Sequence, residues 1–293
     1  MIYEHSLDKR LLRQSFEKAA QTYDQAAVLQ REICDRMLSR LDFIKYAPDF
    51  IVDMGSGTGY GTKKLLERYG HAKIIALDIA LNMHLQACRP VPGWKKWVSL
   101  IKRDPIDYVT GDIEQLPLQS QSVNMIWSNL ALQWCNDLKQ SLAECHRIIK
   151  PGGLMMFSTF GPDTLYELRK VFKTIDQYQH INRFTDMHDI GDILVHVGFA
   201  EPVMDMEYIT LTYQDVSSIL SDLKAIGAHN VMAGRRKGLT GKGVWQQIND
   251  QYEMLRQAGK LPATYEVVYG HAWKPEPKSA FLKPTTKQKL GIK

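Results

Sequence analysis

An α/β fold, with a mostly parallel seven-stranded sheet and helices on both faces, is what this sequence predicts, on three observations. From residue 50 onward, short β-rich apolar runs alternate with helical stretches, the pattern of a parallel sheet with helical crossovers. A glycine-rich turn, "GSGTGYG" at 55–61, separates the first of these runs from the helix behind it. Three acidic residues, Asp53, Asp78 and Asp112, each stand at the C-terminal end of their own run, where open α/β sheets bind ligands.

The elements follow in order. Residues 7–42 carry helical periodicity, first through Leu7, Leu11, Leu12, Phe16, Ala19 and Ala20, then through Val28, Ile33, Met37 and Leu41, so two helices are expected ahead of the sheet. Strands are expected at "FIVDM" (50–54), "KIIALD" (73–78), "DYVTGD" (107–112), "VNMIWSN" (123–129) and "GLMMFSTF" (153–160). Helices are expected between them, near 60–69, 82–88, 137–149 and 164–176. A helix at 187–197 leads to an extended segment around 203–212, and "ATYEVVYGHAW" (263–273) reads as the final strand. The stretch 214–260 is helical, basic and broken by glycines, too long for an ordinary connection, and is expected to form a lid. The chain thus divides into an N-terminal cap (1–48), a core (49–213), the lid (214–261), the last core strand (262–274) and a tail (275–293).

With 293 residues, 44% of them hydrophobic, the chain can bury a sizeable core. No apolar run reaches the ~20 residues of a membrane span, and "MIYEHSLDKR" lacks the apolar stretch of a signal peptide, so a cytoplasmic protein is expected. Cys34, Cys88, Cys135 and Cys145 show no CxxC spacing and His180, His188 and His229 no ligand spacing, which speaks against a zinc site and a disulfide framework. The net charge of +5 is mild for a nucleic-acid binder. Basic residues gather at 93–103 (Lys95, Lys96, Lys102, Arg103), at 234–242 (Arg235, Arg236, Lys237, Lys242) and in the tail.

The glycine turn and an acidic residue nineteen positions on, from Gly59 to Asp78, mark a nucleoside cofactor. A dinucleotide fits poorly. Tyr60 stands where the third fingerprint glycine would be, and Asp53 beside Gly55 would repel a diphosphate. A cationic ligand reverses that argument. S-adenosylmethionine has an ammonium and a sulfonium and no phosphate, so Asp53 becomes favourable, Asp78 takes the ribose diol and Asp112 the adenine amino group. Gly55, Ser56, Gly57 and Gly59 form the loop, Ile79, Met83 and Ile113 flank the ring, and Gln30 and Asn129 complete the candidate cofactor set.

"VDMGSGTG", "ALDIA", "GDIEQLPL" and "IIKPGG" resemble the motifs of class I S-adenosylmethionine-dependent methyltransferases, with their Rossmann-like fold, over roughly residues 50–160. The flanks resemble a narrower family, the malonyl-acyl-carrier-protein O-methyltransferases of biotin synthesis. They do so in "SFEKAAQTYDQAAVLQ" (15–30), "SNLALQWCNDL" (128–138), "STFGPDTLYELR" (158–169), "LKAIGAHN" (223–230), "GLTGK" (238–242) and "PATYEVVYGHAWKP" (262–275). "GPDTLYELR" is also similar to a mitochondrial complex I assembly factor, an arginine hydroxylase; the absence of a mitochondrial-type leader favours the biotin family. That resemblance implies transfer of a methyl group to the free carboxylate of a malonyl thioester on acyl carrier protein, or on coenzyme A. Tyr23 is the catalytic candidate, as donor to the carboxylate or as a staple of its helix, and Trp134 a candidate wall of the substrate pocket. Arg235, Arg236, Lys237 and Lys242 are candidates to meet the acidic carrier and its phosphopantetheine, with the 93–103 cluster as the alternative. Another small-molecule methyltransferase, such as one acting on a quinone precursor, and a cofactor-binding assembly protein are the rival readings.

Overall fold

The computed structural model describes residues 6–89, 105–228 and 241–277. Among them the helices are α1 (Lys9–Ala19), α2 (Tyr23–Ala26), α3 (Val28–Arg40), α4 (Tyr60–Arg68), α5 (Leu81–Ala87), α6 (Leu138–Ile148), α7 (Tyr166–Ile175), α8 (Met187–Val197), α9 (Val216–Ala225) and α10 (Lys242–Glu253). The strands are β1 (Phe50–Met54), β2 (Lys73–Asp78), β3 (Ile106–Thr110), β4 (Val123–Asn129), β5 (Ile149–Phe160), β6 (Ala200–Tyr213) and β7 (Leu261–Trp273). They form a seven-stranded sheet in the order β3-β2-β1-β4-β5-β7-β6. β1 to β5 pair in parallel, and β7 alone is reversed, antiparallel to both β5 and β6.

Successive strand residues face opposite sides, so Ile51 and Val52 belong to different cores. One face is filled by Ile33 and Met37 of α3, Leu65 of α4, Leu168 of α7 and Tyr252 of α10. Leu142, Cys145 and Ile148 of α6 fill the other with Ile190 and Leu194 of α8. Side-chain caps start several helices: Asp8 accepts from the amides of Arg10 and Leu11, Asp137 from Gln140, Asp186 from His188 and Asp215 from Ser218.

Three boundaries differ from expectation. The N-terminal region breaks into three helices because Ala27 leaves helical geometry, at ψ 44°, between α2 and α3. β3 stops at Thr110, and Asp112 sits beyond it in a tight turn bridged to Gln115. β5 begins at Ile149 and carries "KPGG" as an irregularity in its pairing with β4, since Pro151 has no N–H and Gly152 sits at φ +71°. The described part of the 214–260 stretch separates into α9, which reaches the cavity described below, and α10, which packs on α7. No helix among the described residues is long and apolar enough to cross a membrane.

Candidate active site

The chain leaves β1 toward β2 on one side, while β4 flanks β1 on the other, and this switch point opens a crevice at the C-terminal strand ends. A cavity of about 540 Å³ occupies it, and a smaller one of about 170 Å³ shares Tyr23, Gln30, Gly55, Gly57 and Asn129 with it.

The glycine turn is pinned to the end of β2. Gly55 N and Ser56 N donate to Leu77 O at 2.8 and 3.0 Å, and Gly57 N donates to Asp78 Oδ2 at 2.9 Å. Ala80 N donates to the other Asp78 oxygen at 2.9 Å. Asp53 Oδ2 accepts from Thr62 Oγ1 at 2.6 Å. Each carboxylate oxygen accepts more than one bond, so both groups keep capacity for a ligand. Asp53 and Asp78 are 2% and 8% exposed, and neither forms an ion pair with a described residue. Burial pushes Asp53 up to about 7, with Asp78 adding repulsion and the Thr62 hydrogen bond opposing; it pushes Asp78 up to about 6 against its backbone hydrogen bonds. Gln30 Oε1 is likewise buried with no donor among the described residues. Two buried acids without a cation and an acceptor without a donor fit a ligand that brings positive charge and N–H groups.

A pH dependence follows. Both folded-state values lie above those of unfolded carboxylates, so their contribution to stability is present below about pH 4 and is lost as pH rises through 6–7. A bound cation offsets that loss. Calorimetric affinity for S-adenosylmethionine is therefore expected to strengthen between about pH 5 and pH 7 as the two acids ionise; a flat profile at constant ionic strength would remove their charge from the site.

In the part of the cavity bordered by Asp112, its Oδ1 accepts from Glu114 N at 3.1 Å and from Lys9 Nζ at 3.0 Å. Lys9 also pairs with Glu114 Oε2 at 2.8 Å. Ile79, Met83 and Ile113 line the same cavity, roofed by Leu12 and Phe16 of α1. Glu17 fastens the roof by accepting from Leu81 N and Asn82 N, the unpaired amides at the start of α5. Lys9, which lines the cavity, and Glu17 are neighbours of the candidate site that sequence reasoning missed. Their only local signal is an unremarkable charged helix face.

Tyr23, at the start of α2, holds its ring over the turn, with Cε1 3.8 Å from where a Cβ on Gly57 would stand. Burial first, then the charges of Asp78 and Asp24, push its phenol well up, so it stays a protonated donor at neutral pH. Asn129 lines the cavity with its side chain engaged: Nδ2 donates to Gln30 O at 3.0 Å and Oδ1 accepts from Ser158 Oγ at 2.8 Å. Trp134 lines the cavity and meets Phe16 edge-on at 5.4 Å. Ser56 borders the smaller cavity, within 3.4 Å of His84 Nε2. Gly59, at φ +83°, lies outside both cavities and caps α4. Lys242 is exposed at the start of α10 and does not border the cavity. Arg235, Arg236, Lys237 and the 93–103 cluster lie outside the described residues. Phe160, Leu165, Phe172, Phe184 and Tyr265 wall a further part of the same cavity, an apolar chamber that sequence reasoning also did not assemble.

A family pattern described as "Methyltransferase domain" matches residues 52–157. The chain is 60% identical to the malonyl-acyl-carrier-protein O-methyltransferase of Nitrosospira multiformis, over 99% of this chain and 97% of that protein. It is 56% identical to the protein of the same name from Gallionella capsiferriformans, over 94% of each. Among solved structures, YcgJ of Bacillus subtilis shares the fold at a TM-score of 0.55 and 14% identity, covering 82% of this chain and 98% of that one. Phosphoethanolamine N-methyltransferase 2 of Haemonchus contortus, solved with S-adenosyl-L-methionine, does so at 0.52 and 16%, covering 83% and 53%.

Proposed function

This chain belongs to the malonyl-acyl-carrier-protein O-methyltransferase family, and from that premise we infer that it methylates the free carboxylate of malonyl-acyl carrier protein, with S-adenosylmethionine as donor. The observation that carries this reading is the 60% identity over nearly the full length of both chains. When bound, S-adenosylmethionine supplies a methyl group on a sulfonium, which a carboxylate oxygen takes as the carbon–sulfur bond breaks and its electron pair stays on sulfur. The residues that would hold it are the turn at Gly55–Gly57, Asp53 and Asp78 for charge and ribose, Gln30 for the ammonium, and Asp112, Ile79, Met83 and Ile113 for the base.

The acceptor needs no general base, because a malonyl carboxyl, titrating near 4, is already ionised at neutral pH. What remains for the protein is alignment and exclusion of water. Leu12, Phe16, Phe160 and Leu165 wall the cavity with apolar surface. Tyr23 is supported as donor to the carboxylate oxygen that does not attack, being protonated and at the junction of the two cavities. Masking a charged acyl end as a methyl ester lets chain-elongating enzymes treat it as a neutral acyl group, the use made of it in biotin synthesis.

The reading is tested by incubating the protein with labelled S-adenosylmethionine and malonyl carrier protein and weighing the carrier. One added methyl on the malonyl group is expected, and none on acetyl carrier protein; label on neither carrier would reject the reading. With the same assay, Tyr23→Phe is expected to lower kcat roughly tenfold or more, the scale of one hydrogen bond to a charged group, while cofactor affinity stays within about twofold. Equal losses in both would return Tyr23 to a purely structural role.

A further inference from the structure

Few cations face the cavity. Among the described residues that line it, the basic side chains are Lys9, His180 and Lys224. Lys9 is committed to Asp112 and Glu114, at 3.0 and 2.8 Å. His180 Nε2 lies 2.8 Å from Asp176 Oδ1, and its ring stacks on Phe172 at 4.0 Å. Lys224 forms no ion pair with a described residue. Of the described residues that line the cavity it alone is exposed, so it stands where the cavity meets solvent. The end of α9 fixes its place. Gly227, at φ +74°, turns the chain there, and its N donates to Lys224 O at 3.1 Å. Ala225 O accepts from Thr22 Oγ1 at 3.0 Å, and Gly227 O accepts from Ser15 Oγ at 2.8 Å. Thr22 adjoins Tyr23 and Ala225 adjoins Lys224, so one hydrogen bond ties together the segments that carry the carboxylate donor and the uncommitted cation.

A malonyl group has to bring an anion into a cavity whose described acids, Asp78 and Asp112, repel it and whose chamber is apolar. An ammonium at the rim offsets both effects, and the flexible stem of a lysine lets the charge follow the carboxylate inward. The reaction then removes the partner of that charge. When one carboxylate oxygen takes the methyl group, the acid becomes a neutral ester and the attraction ends. The pairing therefore holds substrate and not product. Being strongest before the methyl moves, it lowers KM without raising kcat.

We propose that Lys224 captures the malonyl carboxylate at the cavity rim, so that the enzyme selects acyl groups that end in a negative charge and lets go of the ester once the charge is gone. The assignment rests on the methyltransferase reading above. A lysine in the last turn of α9 also complements the dipole of that helix, but such a role sets stability alone and is blind to the substrate.

The test compares malonyl N-acetylcysteamine, which has no phosphate, with malonyl carrier protein, using the full-length enzyme. Lys224→Met, which keeps an apolar stem, is expected to raise KM for the small thioester roughly fivefold, the upper scale of an exposed ion pair, with kcat within about twofold. Lys224→Arg is expected to recover most of the wild-type KM. Added salt is expected to raise the wild-type KM for the small thioester and to leave that of Lys224→Met nearly level. Inhibition by the neutral methyl ester product is expected to be alike in both proteins, and calorimetric affinity for S-adenosylmethionine is the check on folding. An unchanged KM for the small thioester in Lys224→Met overturns the proposal. So does a rise in KM confined to the carrier protein, which would assign Lys224 to the carrier or its phosphodiester, and so does a loss confined to kcat. Failure of the wild type to methylate either substrate would instead reject the methyltransferase reading.

Discussion

Replacing Asp78 by alanine is expected to weaken S-adenosylmethionine binding by about 3 kcal/mol, on the order of a hundredfold in Kd, while the fold persists. The carboxylate lies 8% exposed at the end of β2, and it is the residue that joins the turn to the ligand side of the crevice. Its loss has two opposing consequences for the free protein. The amides of Gly57 and Ala80 lose their acceptor, which costs stability. Yet the folded state also ceases to hold an acid that burial has raised to about 6, which returns stability at neutral pH. These effects offset each other, whereas in the complex both hydrogen bonding and charge are lost together. Calorimetry on Asp78→Ala, with a thermal scan to verify folding, separates the two. Unaltered affinity would take Asp78 out of the cofactor site, and Asp78→Asn, which keeps hydrogen-bonding capacity without charge, is expected to fall between.

Gly55→Ala is expected to lower folding stability by about 2–4 kcal/mol and to abolish measurable cofactor binding. Gly55 sits at φ +74°, where a side chain clashes with its own backbone, a cost of about 1–2 kcal/mol. The larger problem is space. A Cβ there would stand 2.3 Å from Ala131 Cβ, a contact that must be relieved by moving β1 away from the segment after β4. Such overpacking costs about 1–3 kcal/mol. The strand ends it displaces are the ones that frame the crevice, so binding fails with it. Gly57→Ala is the informative comparison: it shares the positive φ, at +53°, but its Cβ would approach Tyr23 Cε1 only to 3.8 Å. A denaturant midpoint for Gly55→Ala equal to that of Gly57→Ala would show that backbone strain alone matters and that the approach to Ala131 does not.

Much of the site was legible because its chemistry is local. Gly55, Gly57, Asp78 and Ile79 lie within a strand-turn unit whose glycine spacing and apolar runs are set by neighbours a few residues away, and periodicity reports such short-range constraint directly. The same holds for the seven strands, since each apolar run is bounded by its own turn signals. Where the structure goes beyond that reading, the physical influence is again identifiable. Asn129 borders the cavity, and what its place in the sequence does not show is that its side chain also bridges Gln30 O and Ser158 Oγ, tying α3 to β4 and β5. A turn, and not the strand end that the sequence predicts, presents Asp112, because β3 stops at Thr110.

By itself the sequence determined an alternating α/β chain with a glycine turn and acids at its strand ends, because backbone propensity and side-chain alternation act over a few residues. Only the tertiary structure decided who stands opposite those acids and what lies beyond them. Lys9 reaches Asp112 across 103 positions of sequence, and Glu167 accepts from Thr264 across 97 to hold α7 against β7 beside the chamber. No local pattern marks Asn182 Oδ1 as an acceptor without a donor among the described residues, since whether a donor is near depends on where α7 and the segment after it settle against the sheet. Pairing across such distances is fixed by how layers pack, and packing is a property of the folded whole.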